Sequence, residues 1–189
     1  CIKGFCPSFV TVVGGKVRKF KGSGADAAKA ALPEPKLPAL DAPWPILVTG
    51  VGGTGVVTIG AIFGMAAHLE SRACSVSDVV GLSQKNSPVL SQIVFAKDRA
   101  ALHSPQMASG SARALIACDL VTSTMPDAFG KLAPETRAIV NLEETRTGEF
   151  VQNWDKPFEF GAMLNRVKSR VDAATAEFVP ATNNATALL

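Results

Sequence analysis

The fold of this chain is decided by Ile46-Leu47-Val48-Thr49-Gly50-Val51-Gly52-Gly53-Thr54-Gly55. A short apolar run ends in four glycines within six residues, and a mainly apolar stretch without proline follows. This order predicts a strand, a tight turn and a helix. Gly50, Gly52 and Gly55 fit the pattern G-x-G-x-x-G, with Gly53 and Thr54 in the same turn. Because glycine has no Cβ and tolerates positive φ, such a turn brings backbone N–H groups against an anion at a helix N-terminus.

The chemistry that suits this turn is the binding of a phosphate or a carboxylate. Glycines at a strand-to-helix turn also occur where strand and helix only pack closely, and a single match to the pattern is weak. Both interpretations therefore stay open at this point.

Composition limits the remaining classes of function. The chain has 189 residues, 47% of them hydrophobic, which is enough for one α/β domain with a small appendage. The net charge is +3 and the charges are scattered, so nucleic acid and membrane surfaces are not expected partners. No apolar run approaches the roughly 20 residues that span a bilayer. We expect a soluble, cytoplasmic protein, and the mild basic excess suits an anionic small molecule at most.

The N-terminal third differs in composition from the rest. Phe9–Val13, the pair Gly14-Gly15 and Lys16–Phe20 predict a β-hairpin, and prolines are dense from Pro33 to Pro45. We predict a cysteine-containing segment with this hairpin over residues 1–31, a proline-rich linker over 32–45 and an α/β domain over 46–189. The chain opens on cysteine and closes on a helix-like run, so we expect a piece of a longer protein, with the α/β domain truncated at its C-terminus.

Two of the four cysteines stand close together at the start of the chain. Cys1 and Cys6 are separated by four residues, and proline follows Cys6, which is typical of iron–sulfur ligation. Two thiols supply only half of a four-thiolate site, and structural or exposed thiols are the simpler interpretation. Cys74 and Cys118 lie in apolar runs, where buried thiols are expected.

Strand and helix patterns alternate after the glycine turn. Such alternation predicts a three-layer α/β/α domain with a largely parallel, Rossmann-like sheet. The helix after the turn is apolar nearly all round, so it should be well buried. The predicted helices are 54–70, 109–115, 126–132 and 160–177, and the predicted strands after the first are 73–77, 89–95, 116–122 and 137–142.

Three residues beyond the turn are candidate ligand contacts. Asp78 follows the second predicted strand at the distance where a Rossmann fold binds the ribose of a dinucleotide, although aspartate there is also common as a cap or turn former. Gln84 and Lys85 lie in a polar loop at the expected ligand edge of the sheet, where a simply solvated loop is nearly as plausible. We interpret Asp119 and Asn141 as hydrogen-bonded polar positions at sheet ends.

Three motifs in this order resemble the gamma-type domain of the 2-oxoacid:ferredoxin oxidoreductases, in particular the long fused indolepyruvate ferredoxin oxidoreductases. The resemblance covers almost the whole chain. It is carried by Cys-Ile-Lys-Gly-Phe-Cys-Pro-Ser-Phe-Val-Thr-Val from Cys1, by Pro-Trp-Pro-Ile-Leu-Val-Thr-Gly-Val-Gly-Gly-Thr-Gly-Val-Val-Thr-Ile-Gly from Pro43, and by Gly81-Leu82-Ser83-Gln84-Lys85. Asn86-Ser87-Pro88 stand where members usually have a glycine pair.

The resemblance implies oxidative decarboxylation of an arylpyruvate to an acyl-CoA, with electrons passed to ferredoxin. It implies thiamine diphosphate, [4Fe-4S] clusters and coenzyme A in the full enzyme. The thiamine-binding domains would be partners, Cys1 and Cys6 would ligate a cluster with thiolates from upstream, and no catalytic residue would lie in this chain. An apolar face left by absent domains would favour a homo-oligomer. The alternatives are a free-standing dinucleotide-binding domain and an interaction module without a ligand.

Overall fold

The computed structural model describes residues 13–15, 39–81, 87–145, 155 and 157–188. Residues 39–187 of this set fall within one compact unit, Lys36–Ala187. Residues 9–12 and 16–20 of the predicted hairpin and half of the predicted linker, residues 32–38, lie outside the described residues, whereas residues 13 and 14 form a turn. The predicted division into three segments stays a prediction.

A sheet of six strands forms the centre of the described structure. The strands are β1 (Trp44–Val51), β2 (Ala73–Val80), β3 (Pro88–Ala96), β4 (Ala114–Ala117), β5 (Arg137–Asn141) and β6 (Glu177–Val179). Their order across the sheet is β2-β3-β1-β4-β5-β6. The pairs β1·β4, β4·β5 and β5·β6 are parallel, while β3 pairs antiparallel with both β1 and β2. The sheet is therefore mixed, with a parallel half that begins at β1.

Helices cover both faces of this sheet. They are α1 (Val56–Leu69), α2 (Leu120–Thr124), α3 (Pro126–Phe129), α4 (Phe160–Lys168) and α5 (Ala181–Leu188). One apolar cluster joins Val56 of α1 to Val48 and Ile93 of the sheet. A larger cluster on the other face joins Leu115 to Leu120 of α2 and brings in α3 and α4. The predicted three-layer α/β architecture is confirmed. No described helix is both long and apolar enough to cross a membrane.

Two predicted elements differ from the structure near β4. Residues 109–113 form turns instead of a helix, because Gly110 has φ of 66° and the chain then enters β4 at Ala114. The predicted strand 116–122 ends at Ala117, and α2 begins after Asp119. The Asp119 side chain accepts a hydrogen bond from the Thr122 N–H and so acts as an N-cap. A helix therefore starts where the apolar run predicted a strand.

The last predicted helix is also too long. It ends at Lys168, and β6 begins at Glu177. Between them Asp172 accepts hydrogen bonds from Ala174 N and the Thr175 hydroxyl. Such local side-chain bonds offer the backbone a turn in place of a helix.

The prediction that α1 is buried all round is wrong. Its sheet side is buried at Val56, Gly60 and Ala67, but Ile62 is 62% exposed and Leu69 77% exposed. No element among the described residues covers this outer side, so the apolar pattern of α1 exceeds what the sheet alone can bury.

The core on the α2 face gives a stability prediction. Leu115 is 1% exposed in central strand β4, so Leu115→Ala should lower the free energy of unfolding by about 2 to 5 kcal/mol through lost transfer energy and a cavity. Ile139 on neighbouring β5 is 52% exposed, and Ile139→Ala should cost less than about 1 kcal/mol. Urea unfolding followed by circular dichroism measures both. Equal losses in the two variants would contradict the assignment of the core to the α2 face.

Candidate functional site

The candidate site lies where the parallel strands β1, β4 and β5 end. In open α/β sheets the ligand crevice lies outside the carboxyl ends of such strands. The glycine turn follows β1 here, Asp119 follows β4, and Asn141 is the last residue of β5. The backbone joins the first two ends, because Cys118 N donates to Thr49 O at 2.7 Å.

Asp119 fixes the start of the glycine turn. Its carboxylate is fully buried and accepts hydrogen bonds from Val51 N at 2.7 Å, Thr122 N at 2.7 Å and the Thr122 hydroxyl at 3.1 Å. Burial raises the pKa of Asp119, while the bonds from Thr122 and Val51 oppose the rise. All of its contacts are structural, so the interpretation of Asp119 as a hydrogen-bonded polar position is confirmed.

Asn141 has the same kind of role. Its amide donates to Cys118 O and to the Thr182 hydroxyl at 3.0 Å each, and its carbonyl accepts from Ala181 N at 3.0 Å. These bonds join the end of β5 to the start of α5 and to the end of β4. Next to it, burial above all raises the pKa of the Cys118 thiol, and the charge of Asp119 adds to the rise. A thiol held protonated in this way is a poor nucleophile.

Two separate structural reasons explain the presence of glycine in this turn. Gly53 and Gly55 adopt φ of 99° and 86°, a backbone conformation that side chains disfavour. Gly50 lies in β1 instead, where a Cβ would fall against the Thr54 hydroxyl and only 2.7 Å from Val56 Cγ2. Gly52 N donates to Ser87 O at 2.8 Å and so joins the turn to the start of β3. Close packing thus explains Gly50, and positive φ explains the other two.

The turn leaves a group of backbone donors open at the N-terminus of α1. Within the described part of the chain no acceptor faces the N–H groups of Gly53, Gly55, Val56, Val57 and Thr58. Gly55 is the N-cap and has no side chain to accept, and the first turn of α1 carries no acidic residue. A cavity of about 300 Å³ lies against these residues, with Val51 and Val89 on its wall. Open N–H groups and the positive end of the helix dipole make this cavity suited to an anion.

The remaining predicted site residues fall in different places. The Thr54 hydroxyl donates to Val51 O at 2.7 Å, so it stabilises the turn itself. Asp78 lies inside β2 rather than at its end, since the strand continues to Val80. Asp78 is opposite Ser91 of β3, and Ser91 is in turn opposite Val48 of β1. Strand β3 therefore lies between Asp78 and β1, the strand that leads into the glycine turn.

Gln84, Lys85, Cys1 and Cys6 lie outside the described residues. The described flanks of the Gln84-Lys85 loop are nevertheless close to the turn, because Ser87 accepts from Gly52 N and Pro88 is level with Val51. No group of three or more metal-binding side chains occurs among the residues that the structure describes.

Sequence reasoning missed the donors of Val56, Val57 and Thr58. These donors are main-chain N–H groups, so the residue types at these positions do not indicate them. The signal that could have found them is the absence of a capping or acidic side chain between Gly55 and Ile59.

The fold and the site together define an α/β domain of Rossmann-like type, with a glycine turn that leaves a helix N-terminus open. The chain belongs to the pyruvate ferredoxin/flavodoxin oxidoreductase family, whose sequence model matches residues 45–188. No curated protein sequence matches it.

Three solved structures similar to the chain are 2-oxoacid or pyruvate oxidoreductases or their subunits. The 2-oxoglutarate:ferredoxin oxidoreductase of Magnetococcus marinus, solved with 2-oxoglutarate, coenzyme A and succinyl-CoA bound, is 14% identical with a TM-score of 0.53 over 77% of this chain and 21% of that one. The pyruvate oxidoreductase subunit PORC of Thermotoga maritima is 16% identical with a TM-score of 0.42, over 59% of this chain and 56% of that one. The gamma subunit of a keto/oxoacid ferredoxin oxidoreductase from Geobacter sulfurreducens is 16% identical with a TM-score of 0.34, over 51% and 50%. The chain therefore spans between about a fifth and somewhat over half of these relatives' lengths.

The contribution of the Asp119 carboxylate to stability can be measured by substitution. Asp119→Asn should lower the free energy of unfolding by about 1 to 3 kcal/mol, because one amide oxygen cannot serve the three donors and a buried N–H loses its acceptor. Thermal and urea unfolding measure the effect. The matched control is Asp41→Asn, since Asp41 is exposed. An Asp119→Asn protein as stable as the control would contradict the central role of this carboxylate.

Proposed function

We propose that this chain is one domain of a 2-oxoacid:ferredoxin oxidoreductase, not catalytic by itself, and that its glycine turn binds the phosphates of coenzyme A. The observation that carries the proposal is the group of open N–H donors at the α1 N-terminus, in a chain of this family. A diphosphate needs several donors arranged around one point, and an uncapped helix start supplies them without a lysine or an arginine.

The charge around the turn supports an anion over a neutral ligand. The first turn of α1 lacks a carboxylate that would compensate the helix dipole. The turn is fixed on both sides, by Asp119 at Val51 N and by Ser87 at Gly52 N. Because these bonds hold the backbone before a ligand arrives, little ordering is required on binding. We place Gln84 and Lys85 next to this ligand, since Ser87 directly follows their loop.

The full enzyme would catalyse the oxidative decarboxylation of a 2-oxoacid to an acyl-CoA and pass the electrons to ferredoxin. The substrate we favour is an arylpyruvate such as indolepyruvate. Thiamine diphosphate supplies the electron sink in such chemistry, and we assign it to partner domains. We assign Cys1 and Cys6 to a [4Fe-4S] cluster completed by thiolates from outside this chain. This domain's own part is to hold coenzyme A at the carboxyl edge of its sheet.

A free-standing dinucleotide-binding domain is less well supported. Besides the glycine turn, this alternative depends on Asp78 lying at the end of a second strand, beside the first strand. Asp78 instead lies within β2, and β3 is inserted between β2 and β1. The ribose-binding position of a Rossmann fold is thus not reproduced.

A carboxylate built into the first turn of α1 tests the ligand. Thr58 is exposed at the third position of the helix, so Thr58→Glu should place a negative charge among the open donors. We expect coenzyme A affinity to fall about tenfold, while the stability of the fold stays equal or rises by about 0.3 to 1 kcal/mol. Calorimetry with coenzyme A and thermal unfolding measure the two quantities.

The neutral variant Thr58→Gln is the matched control and should keep most of the affinity. If Thr58→Glu binds coenzyme A as tightly as the wild-type chain, the ligand does not lie at the α1 N-terminus. Titration of NAD and FAD in the same experiment tests the alternative, since tight binding of either would favour a dinucleotide.

The cluster assignment has its own test. Anaerobic iron and sulfide analysis should find a cluster in a chain extended upstream of Cys1 and not in this chain alone, because two thiols cannot hold four irons. Replacing Cys1 and Cys6 by serine in the longer chain should remove the cluster, whereas the control Cys74→Ser should not. Iron that persists without Cys1 and Cys6 would show that these two residues are not ligands.

A further inference from the structure

Strand β2 presents an edge that is both long and apolar. It spans Ala73–Val80 and pairs on one side with β3, and no strand among the described residues pairs with its other side. Val76 is 38% exposed and Val80 60% exposed. Natural edge strands are protected from pairing by lysine, proline, bulges or short length. β2 has none of these, and Asp78 is its only charged residue.

The hydrogen bonds of β2 show which backbone groups face outward. Gly81 N donates to Pro88 O at 3.3 Å, and the antiparallel register continues from Val80 opposite Val89 to Ala73 opposite Ala96. Because the inward and outward bonds of an antiparallel strand alternate, the odd-numbered residues bond to β3. The N–H and C=O groups of Cys74, Val76 and Asp78 therefore face away from the sheet.

Two residues of opposite charge, Arg72 just before β2 and Asp78 within it, lie at equal distances from Ser75. Arg72 lies three residues before Ser75 and Asp78 three residues after it, and both side chains are exposed. Neither has an ion-pair partner among the described residues. They cannot pair within one chain, because six residues of strand separate them by about 20 Å.

We propose that β2 pairs antiparallel with β2 of a second copy of this chain, with Ser75 opposite Ser75 on the two-fold axis. In this register Cys74 lies opposite Val76, and Arg72 lies opposite Asp78 of the second copy, at both ends of the strand pair. The register also matches the outward-facing bonds, because it places even-numbered residues opposite even-numbered residues.

A second copy fits this edge better than an unrelated strand. Two-fold contacts use the same surface on both chains, so they need a surface that is complementary to itself. This edge meets the requirement because Arg72, directly before β2, and Asp78 within β2 lie three residues to either side of Ser75. The pairing also places the two α1 helices on the same face of a continuous sheet, beside the strand pair, and α1 carries the exposed apolar residues Ile62 and Met65.

Charge reversal in the full 189-residue chain tests the register. Sedimentation equilibrium should show a dimer whose dissociation constant rises at least about tenfold in Arg72→Asp and in Asp78→Arg, because like charges then face each other at both ends. The double variant R72D/D78R should restore the dimer to within about threefold of wild type. Arg137→Asp, on an exposed residue of β5 at the opposite side of the sheet from β2, should leave the dimer unchanged.

The double variant also controls for folding, since it carries both substitutions and is expected to associate. Amide hydrogen exchange gives an independent readout: the N–H groups of Cys74 and Val76 should become protected as protein concentration rises, while those of Ser75 and Ser77 are protected throughout. A wild-type chain that stays monomeric at all concentrations would overturn the proposal. So would a dimer that the double variant fails to restore, because its interface would then lie elsewhere or belong to a partner of another kind.

Discussion

The hydrogen bond from Val51 N to the Asp119 carboxylate is the contact on which the candidate site depends. It joins the last residue of β1 to the N-cap of α2, and both groups are withdrawn from water. A buried donor or acceptor without a partner is costly, so the end of β1 and the start of α2 are obliged to stay together. The glycine turn begins directly at this bond, so the Asp119 carboxylate, together with the Gly52 N–H to Ser87 carbonyl bond, fixes the start of the turn that carries the open N–H groups.

The two faces of the sheet differ in how much apolar surface they bury. The α2 face holds the larger apolar cluster, with Leu115, Leu120 and Val167 at its centre. The α1 face holds a smaller cluster, and it leaves Ile62 of the helix and Ile139 of β5 exposed. Stability thus comes mainly from the side away from α1. The α1 side leaves its helix N-terminus accessible and part of its apolar surface uncovered among the described residues, and such surfaces mark interaction sites.

The sequence was sufficient for features that are local. The glycine turn, α1 and most of the strands follow from apolar runs bounded by glycine and proline, since those residues constrain the backbone where they stand. It was insufficient for features that depend on distant residues. The insertion of antiparallel β3 between β1 and β2 is a matter of strand order, which periodicity does not encode, and it moved Asp78 away from the turn. Likewise, the apolar run after Ile116 could not show that the Asp119 carboxylate would end the strand and start a helix.

Because the candidate site consists of backbone donors of α1, binding of the proposed ligand there would also stabilise this helix. The first turn of this helix has neither a side-chain cap nor an acidic residue, so several of its N–H groups have no acceptor among the described residues. A bound phosphate satisfies those donors and compensates the helix dipole at once. Because the unfolded chain has no such site, a ligand at 100 times its dissociation constant adds about 2.7 kcal/mol to the stability of the folded domain. Under the proposed function, the missing cap is a cost to the free domain that a bound phosphate would offset.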